Sequence, residues 1–358
     1  MTSVRLTRPL RLAAAAAVLV LGAGALAACS SGSGSGSSSA LRLGYFPNVT
    51  HAAALVGVKE GFFQKQLDAT STKLTTQTFN AGSAAVEALN AGAIDATYVG
   101  ANPAVNAFVA SSGDAIRIIS GATSGGASFV VQPDITSAAD LKGKTVASPQ
   151  LGNTQDVALR YWLDQQGLKT SVTGSGDVDI QSADNSVILQ QFQDKKISGA
   201  WVPEPWASRL VLEGGGKVLV DEATLWPKGR FVTTQLIVRT AYLQAHPDQV
   251  TALLKGQVES TSWIRQNPDK AKADVNASLQ SLTGKTLTPQ TLNRAWAAIT
   301  VTNDPIATSL ITAAKHGVAV GVTKSADLHG IYDLAPLNAV LKAQGEATVS
   351  NAGYGTKP

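Results

Sequence analysis

Ile94-Asp95-Ala96-Thr97-Tyr98-Val99-Gly100-Ala101-Asn102-Pro103 reads as a short buried strand that runs into a Gly- and Pro-bearing loop and then a helix. Further along, Ile197-Ser198-Gly199-Ala200-Trp201-Val202-Pro203-Glu204-Pro205-Trp206 repeats the design. Ile, an aromatic and Val fall at the same offsets, and each strand is followed by a proline-bearing loop that opens a helix. Two units of this kind imply two similarly built lobes.

The same rhythm extends on both sides of each unit. Leu41-Arg42-Leu43-Gly44-Tyr45 reads as a strand, the stretch from Asn48 to His51 as a polar loop, and Ala52 onward as a helix that stops at Gly61. Strands are expected over 74–79, 116–120 and 144–147, with helices over 83–90, 155–166 and 186–195. Strands alternating with helices argue for an α/β fold with a mostly parallel, doubly wound sheet. From Ala241 the pattern turns helical, over 241–266, 269–281, 288–298, 303–320 and 332–344.

The 358 residues suffice for two domains and a large core without a disulfide or metal staple. Charged residues make up 15%, which excludes a disordered polyelectrolyte and a histone-like nucleic-acid binder. The net charge of +4 includes Arg5, Arg8 and Arg11. These three precede an uncharged apolar run from Leu12 to Ala28, the pattern of a cleaved export signal. Without them the chain is close to neutral, so no nucleic-acid partner is expected. Leu26-Ala27-Ala28-Cys29 ends the run with the single cysteine, and Ser30 to Ser39 are all Ser and Gly. The tetrapeptide resembles a bacterial lipobox. That resemblance implies a signal peptide over 1–28, lipidation of Cys29, and a flexible tether over 29–40. The expected location is the cell membrane, lipid-anchored on its extracytoplasmic face.

Four loops share one construction, in which a strand end leads through small residues to a Ser, Thr or Asn at a helix start. They are Gly82-Ser83, Gly100-Ala101-Asn102-Pro103, Gly152-Asn153-Thr154 and Asp184-Asn185-Ser186. In open α/β sheets ligands bind at the carboxyl ends of strands, where helix N–H groups favour negative charge. The four loops are therefore expected to line one cleft between the lobes. Tyr45, Phe46, Tyr98, Trp201 and Trp206 are candidate aromatic walls. Glu204 is a complication, because a carboxylate beside an anion repels it; it points away, caps a helix or meets a donor on the ligand. No zinc spacing, HExxH, GxSxG elbow or P-loop occurs, so neither enzymatic activity nor a metal or cofactor is expected. Of the four histidines only His51 lies at a strand-end loop.

Leu43-Gly44-Tyr45-Phe46-Pro47-Asn48-Val49-Thr50-His51, Phe79-Asn80-Ala81-Gly82-Ser83, Pro149-Gln150-Leu151-Gly152-Asn153-Thr154-Gln155-Asp156 and the 201–206 loop resemble the sulfonate/nitrate/taurine group of ABC-transporter substrate-binding lipoproteins, which also includes thiamine-pyrimidine synthase-like domains. The resemblance implies a type II periplasmic-binding-protein fold, two doubly wound lobes joined by a two-strand hinge. Lobe 1 is then 41–127 plus 238–358 and lobe 2 is 128–237, with hinge crossings near 128–131 and 233–237. Carried over from the family, Ser83, Asn102, Asn153 and Thr154 are the anion-side residues. Asn48, His51, Tyr98, Glu204, Trp206, Thr233 and Thr234 are the remaining ligand contacts.

The implied function is capture of an aliphatic sulfonate or taurine-like oxyanion by a monomer and delivery to an ABC permease and its ATPase. The alternative is a thiamine pyrimidine precursor or a nitrate-like solute. Enzymatic members of the family use a Cys-rich motif, whereas Cys29 is the only cysteine of this chain.

Overall fold

The computed structural model describes residues 39–173 and 176–356. The export signal and Cys29 lie outside the described residues, as do tether positions up to Ser38. Eleven strands are present among the described residues. They are β1 (Ser39–Tyr45), β2 (Thr72–Thr78), β3 (Ala96–Val99), β4 (Ile116–Gly125), β5 (Ala127–Val131), β6 (Thr145–Ser148), β7 (Asp179–Ser182), β8 (Gly199–Pro203), β9 (Lys217–Asp221), β10 (Val232–Arg239) and β11 (Ile299–Val301). The helices are α1 (Ala52–Lys59), α2 (Phe62–Leu67), α3 (Gly82–Asn90), α4 (Ala101–Ala110), α5 (Thr154–Gln165), α6 (Asn185–Gln193), α7 (Trp206–Leu212), α8 (Thr240–Ala245), α9 (Pro247–Gln266), α10 (Pro268–Thr283), α11 (Pro289–Ala297), α12 (Ala307–Ala319) and α13 (Ala335–Ala343).

The strands form two sheets, ordered β11-β4-β10-β3-β1-β2 and β7-β6-β8-β5-β9. In each, a parallel trio meets one antiparallel strand. β2, β1 and β3 are followed by antiparallel β10, and β7, β6 and β8 by antiparallel β5. β3 and β8, the two strands whose sequences echo one another, hold equivalent third places.

Period-2 alternation explains why the second sheet is covered on both faces. Phe129, Val131, Val146 and Trp201 pack into a cluster with Leu159 and Leu163 of α5. The intervening Val130, Ala147, Ala200 and Val202 pack against Ile188 and Phe192 of α6 and Leu210 of α7. Consecutive residues of one strand thus serve opposite cores, the signature of a sheet buried on both faces. The larger core surrounds the first sheet and includes Leu41, Leu43, Val99, Ile118 and Leu253.

The chain passes between the sheets at two places. β4 ends at Gly125 and β5 begins at Ala127, so the first crossing is a glycine pair. Gly125 and Gly126 have φ of 78° and 80°, a left-handed conformation open to glycine and costly for other residues. The second crossing runs from the end of β9 to Val232 through two short 3-10 turns. The expected crossings at 128–131 and 233–237 instead lie inside β5 and β10, each already paired within one sheet. Strand β4 also runs further than the expected 116–120, because β10 and β11 pair with it out to Gly125. The long helix expected over 241–266 is divided at His246, since Pro247 lacks the N–H that would continue α8.

Candidate functional site

The carboxyl ends of both parallel trios face one another across a small cavity of about 40 Å³. Each of the four helix-opening loops contributes to its wall. Gly82 comes from the start of α3, Gly100 and Pro103 from α4, Asn153 and Thr154 from α5, and Asn185 from α6. Phe46, Asn48, Thr50 and His51 line it from the segment after β1, and Thr233 and Thr234 from β10. No Lys, Arg, Asp or Glu is among the lining residues. The first N–H groups of a helix have no intrahelical acceptor and carry partial positive charge, so four such ends make an electropositive cup without a formal cation.

The side chains on the wall are fixed by second contacts. Asn153 caps α5, its Oδ1 accepting from Asp156 N at 2.9 Å. Asp156 in turn accepts from Ser148 Oγ at 2.8 Å, Gly152 N at 2.9 Å and Arg160 Nε at 2.8 Å, all buried. This buried, fully engaged carboxylate ties β6, the loop and α5 into one rigid unit.

His51 Nδ1 accepts from Phe46 N at 3.3 Å, and its ring stacks on Phe46 with centroids 4.4 Å apart. Burial lowers the His51 pKa to about 3. The ring is therefore neutral near pH 7. With Nδ1 accepting, its proton resides on Nε2, a neutral donor. Thr154 Oγ1 and Asn185 Oδ1 are buried on the wall and have no hydrogen-bond partner. Buried polar atoms are normally satisfied, so these two are open to a ligand.

Of the expected contacts, Asn48, His51, Asn153, Thr154, Thr233 and Thr234 line the cavity. Five do not. The backbone N of Ser83 donates to Gln150 Oε1 at 3.1 Å, and its side chain borders a separate groove. Tyr98 is directed into the core, where its hydroxyl donates to Gln257 Oε1 at 2.5 Å. Asn102 turns back along α4 and donates to Ala313 O of α12 at 3.1 Å. Glu204 Oε2 accepts from Ser208 N at 3.0 Å, so its carboxylate caps the first turn of α7. Burial raises its pKa. Trp206 stands outside the cavity, and its Nε1 donates to Asn48 Oδ1 at 2.9 Å.

Several wall residues were absent from the expected set, namely Thr50, Asn80, Gln155 and Asn185. Asn185 lies in one of the four loops singled out from the sequence, and Asn80 immediately follows the expected strand over 74–79. Position at a strand end was the available signal.

The halves of the molecule touch around the cavity through a ring of polar contacts. Besides Trp206 to Asn48 and Ser83 to Gln150, Asn80 Nδ2 donates to Asp184 Oδ2 at 3.2 Å and Asn106 Nδ2 to Gly152 O at 3.3 Å. A Cβ placed on Gly100 would overlap Thr154 Oγ1, so glycine is what allows α4 and α5 to approach. Among the described residues no group of three or more His, Cys, Asp or Glu is arranged to hold a metal ion. No helix among them is long and apolar enough to cross a membrane.

Residues 34–279 match the model of the NMT1-like family. The chain belongs to that family. Its relatives include the taurine-binding periplasmic protein of Escherichia coli, 27% identical over 220 residues, which cover 60% of this chain and 64% of that protein. A bicarbonate-binding protein of Synechococcus is 25% identical over a shorter stretch, 33% of this chain and 25% of its own. Among solved structures, the alkanesulfonate-binding protein of Xanthomonas axonopodis pv. citri bound to MOPS superposes with a TM-score of 0.65 at 21% identity, covering 80% of this chain and 95% of its own. The periplasmic nitrate-binding protein of Synechocystis superposes with 0.68 at 15% identity, covering 86% of each. The family kinship expected from the motifs is thus found, with taurine- and bicarbonate-binding proteins among the relatives, and the fold is that of the periplasmic binding proteins, alkanesulfonate- and nitrate-binding proteins among them.

Proposed function

We propose that this protein is the solute-binding component of an ABC importer, held on the extracytoplasmic face by lipid on Cys29, and that it captures a small oxyanion of the sulfonate or taurine class. The observation that carries this reading is the convergence of four helix starts on a cavity whose wall has no charged side chain. An oxyanion head accepts from helix N–H groups, from His51 Nε2 and from the Thr154 hydroxyl. No carboxylate lines the wall, and that of Glu204 is held at Ser208 N. The family's binding proteins for taurine, alkanesulfonate, nitrate and bicarbonate support the same class.

In this reading the two sheets with their helices are the two lobes, and Gly125-Gly126 and the segment before Val232 are the hinge. The ligand touches both lobes only when they are closed, so it favours the closed state by its differential affinity for the two. A swing from 1:99 to 99:1 requires about 5.5 kcal/mol. Several charge-assisted hydrogen bonds of about 1.5–3 kcal/mol each supply that. The closed monomer then delivers the solute to a permease with a cytoplasmic ATPase, and the protein itself catalyses no reaction.

Calorimetric titration with taurine, alkanesulfonates, nitrate, bicarbonate and an aminopyrimidine tests the assignment. Heat of binding is expected with a sulfonate. Preference for the aminopyrimidine would replace the oxyanion reading with uptake of a thiamine precursor.

A further inference from the structure

A larger cavity, about 540 Å³, lies away from the cleft and shares none of its lining residues. That volume is in the range of small-molecule sites. Its walls come from three parts of the molecule: α5, α12, and the segment that joins β9 to β10. Rings dominate the interior. Tyr161 of α5 stacks on His316 of α12 with centroids 3.6 Å apart, and Trp226 of the joining segment lies 5.7 Å from His316. Trp162 adds a second indole to the wall.

The polar groups of the cavity are unequal. Glu222 is buried and holds two indoles, accepting from Trp201 Nε1 at 2.7 Å and Trp226 Nε1 at 3.4 Å. Its oxygens thereby set the orientation of the aromatic wall. Arg230 pairs with Asp304 at 2.9 Å. Lys228 is exposed at the rim and forms no ion pair among the described residues. Its φ of 55° is a conformation that non-glycine residues seldom adopt. The lining is therefore aromatic within, with one buried carboxylate held by two indoles, and carries at its lip the cation Lys228, unpaired among the described residues.

We propose that this cavity is a second binding site, for a planar aromatic molecule that carries one acidic group. The aromatic body packs between Trp162, Trp226 and the Tyr161–His316 stack, and the acid meets Lys228. Offset or edge-on ring contacts favour a flat occupant over a branched aliphatic one of equal size.

Fluorescence titration of the purified protein with 2-naphthoate, a flat aromatic carboxylate, in the presence of excess taurine to occupy the cleft, tests the site independently of the cleft. The proposal and the oxyanion reading therefore stand or fall separately. One saturable site is expected. Ala158→Trp and Thr312→Trp fill the cavity from opposite walls and are each expected to weaken the probe by about tenfold or more. Lys228→Glu, a surface change, is expected to weaken it about fivefold. The uncharged analogue 2-naphthamide is expected to bind more weakly than the carboxylate. Thermal unfolding followed by far-ultraviolet circular dichroism identifies which variants fold. Wild-type affinity in a folded Trp variant would remove the site, and wild-type affinity in Lys228→Glu, or equal binding of the uncharged probe, would remove the acid specificity.

Discussion

The indole Nε1 of Trp206 donates to Asn48 Oδ1 at 2.9 Å, joining the start of α7 to the loop after β1 across the mouth of the cleft. Asn48 is buried and Trp206 half-buried, so the bond is partly shielded from water. Trp206→Phe keeps the ring and removes the donor. Leaving a buried acceptor unpaired costs about 1–3 kcal/mol, and in the proposed two-lobe mechanism that cost falls on the closed state alone. Calorimetry is expected to show ligand affinity reduced about fivefold or more, with the unfolding temperature close to wild type. An unaltered dissociation constant would mean that this bond plays no part in closure.

Thr154 offers a test with opposite signs. Its hydroxyl is buried without a partner, so Thr154→Val removes a desolvation cost from the ligand-free protein. The expected outcome is equal or higher thermal stability together with affinity lower by about 1 kcal/mol or more. A stability loss with unchanged affinity would place the hydroxyl in the fold instead of the binding set.

Gly100→Ala is expected to act through geometry. The added methyl meets Thr154 Oγ1 on the facing helix, while α4 and the first sheet are left intact. Affinity is expected to fall, with small-angle X-ray scattering showing a larger radius of gyration in the presence of ligand. Wild-type compaction on ligand addition would show that α4 and α5 can part locally without opening the cleft.

The pH dependence of stability combines two buried groups of opposite slope. His51 is lowered to about 3 from 6.5, so the unfolded chain takes up a proton that the folded one refuses. Stability from His51 is complete above pH 6.5 and is lost as pH falls toward 3. Glu222 is raised to about 7 from 4.5, so stability falls as pH rises from 4.5 to 7. Each group contributes up to about 1.4 kcal/mol per pH unit, and between 4.5 and 6.5 they oppose one another. Denaturant titrations are expected to give a nearly flat profile in that window for the wild type. The profile should rise with pH in Glu222→Gln and fall with pH in His51→Gln. Identical profiles for all three proteins would contradict both assignments.

Cys29→Ser removes the proposed acylation site. Cell fractionation is expected to find the variant in the medium, and continued sedimentation with membranes would argue for retention by another means.

Much of the architecture was legible because its signals are local. The strand ending at Val99 and the one ending at Pro203 announce themselves by apolar runs closed by Pro and Gly, and they hold matching places in the two sheets. The four helix starts followed from the same logic. Side-chain direction did not, because distant partners set it. Asn102 turns toward Ala313, which no pattern near α4 reveals. Glu204 is claimed by the helix that begins beside it, through Ser208 N. Strand β9 escaped notice because it is a short edge strand that, among the described residues, pairs with β5 alone. The crossings were misplaced by a few residues, since the Gly125-Gly126 pair looks like any flexible turn until the strands on either side are assigned to different sheets.

The uncharged wall of the cleft also bears on where such a protein can work. Opposite ions on a binding surface attract more weakly as dissolved electrolyte accumulates around them. Partial charges on fixed amides inside a closed cup lie beyond that atmosphere. A receptor built this way would lose less of its grip to added salt than one that relied on a lysine or arginine at its wall, and its catch would be set largely by the shape and dehydration cost of the solute.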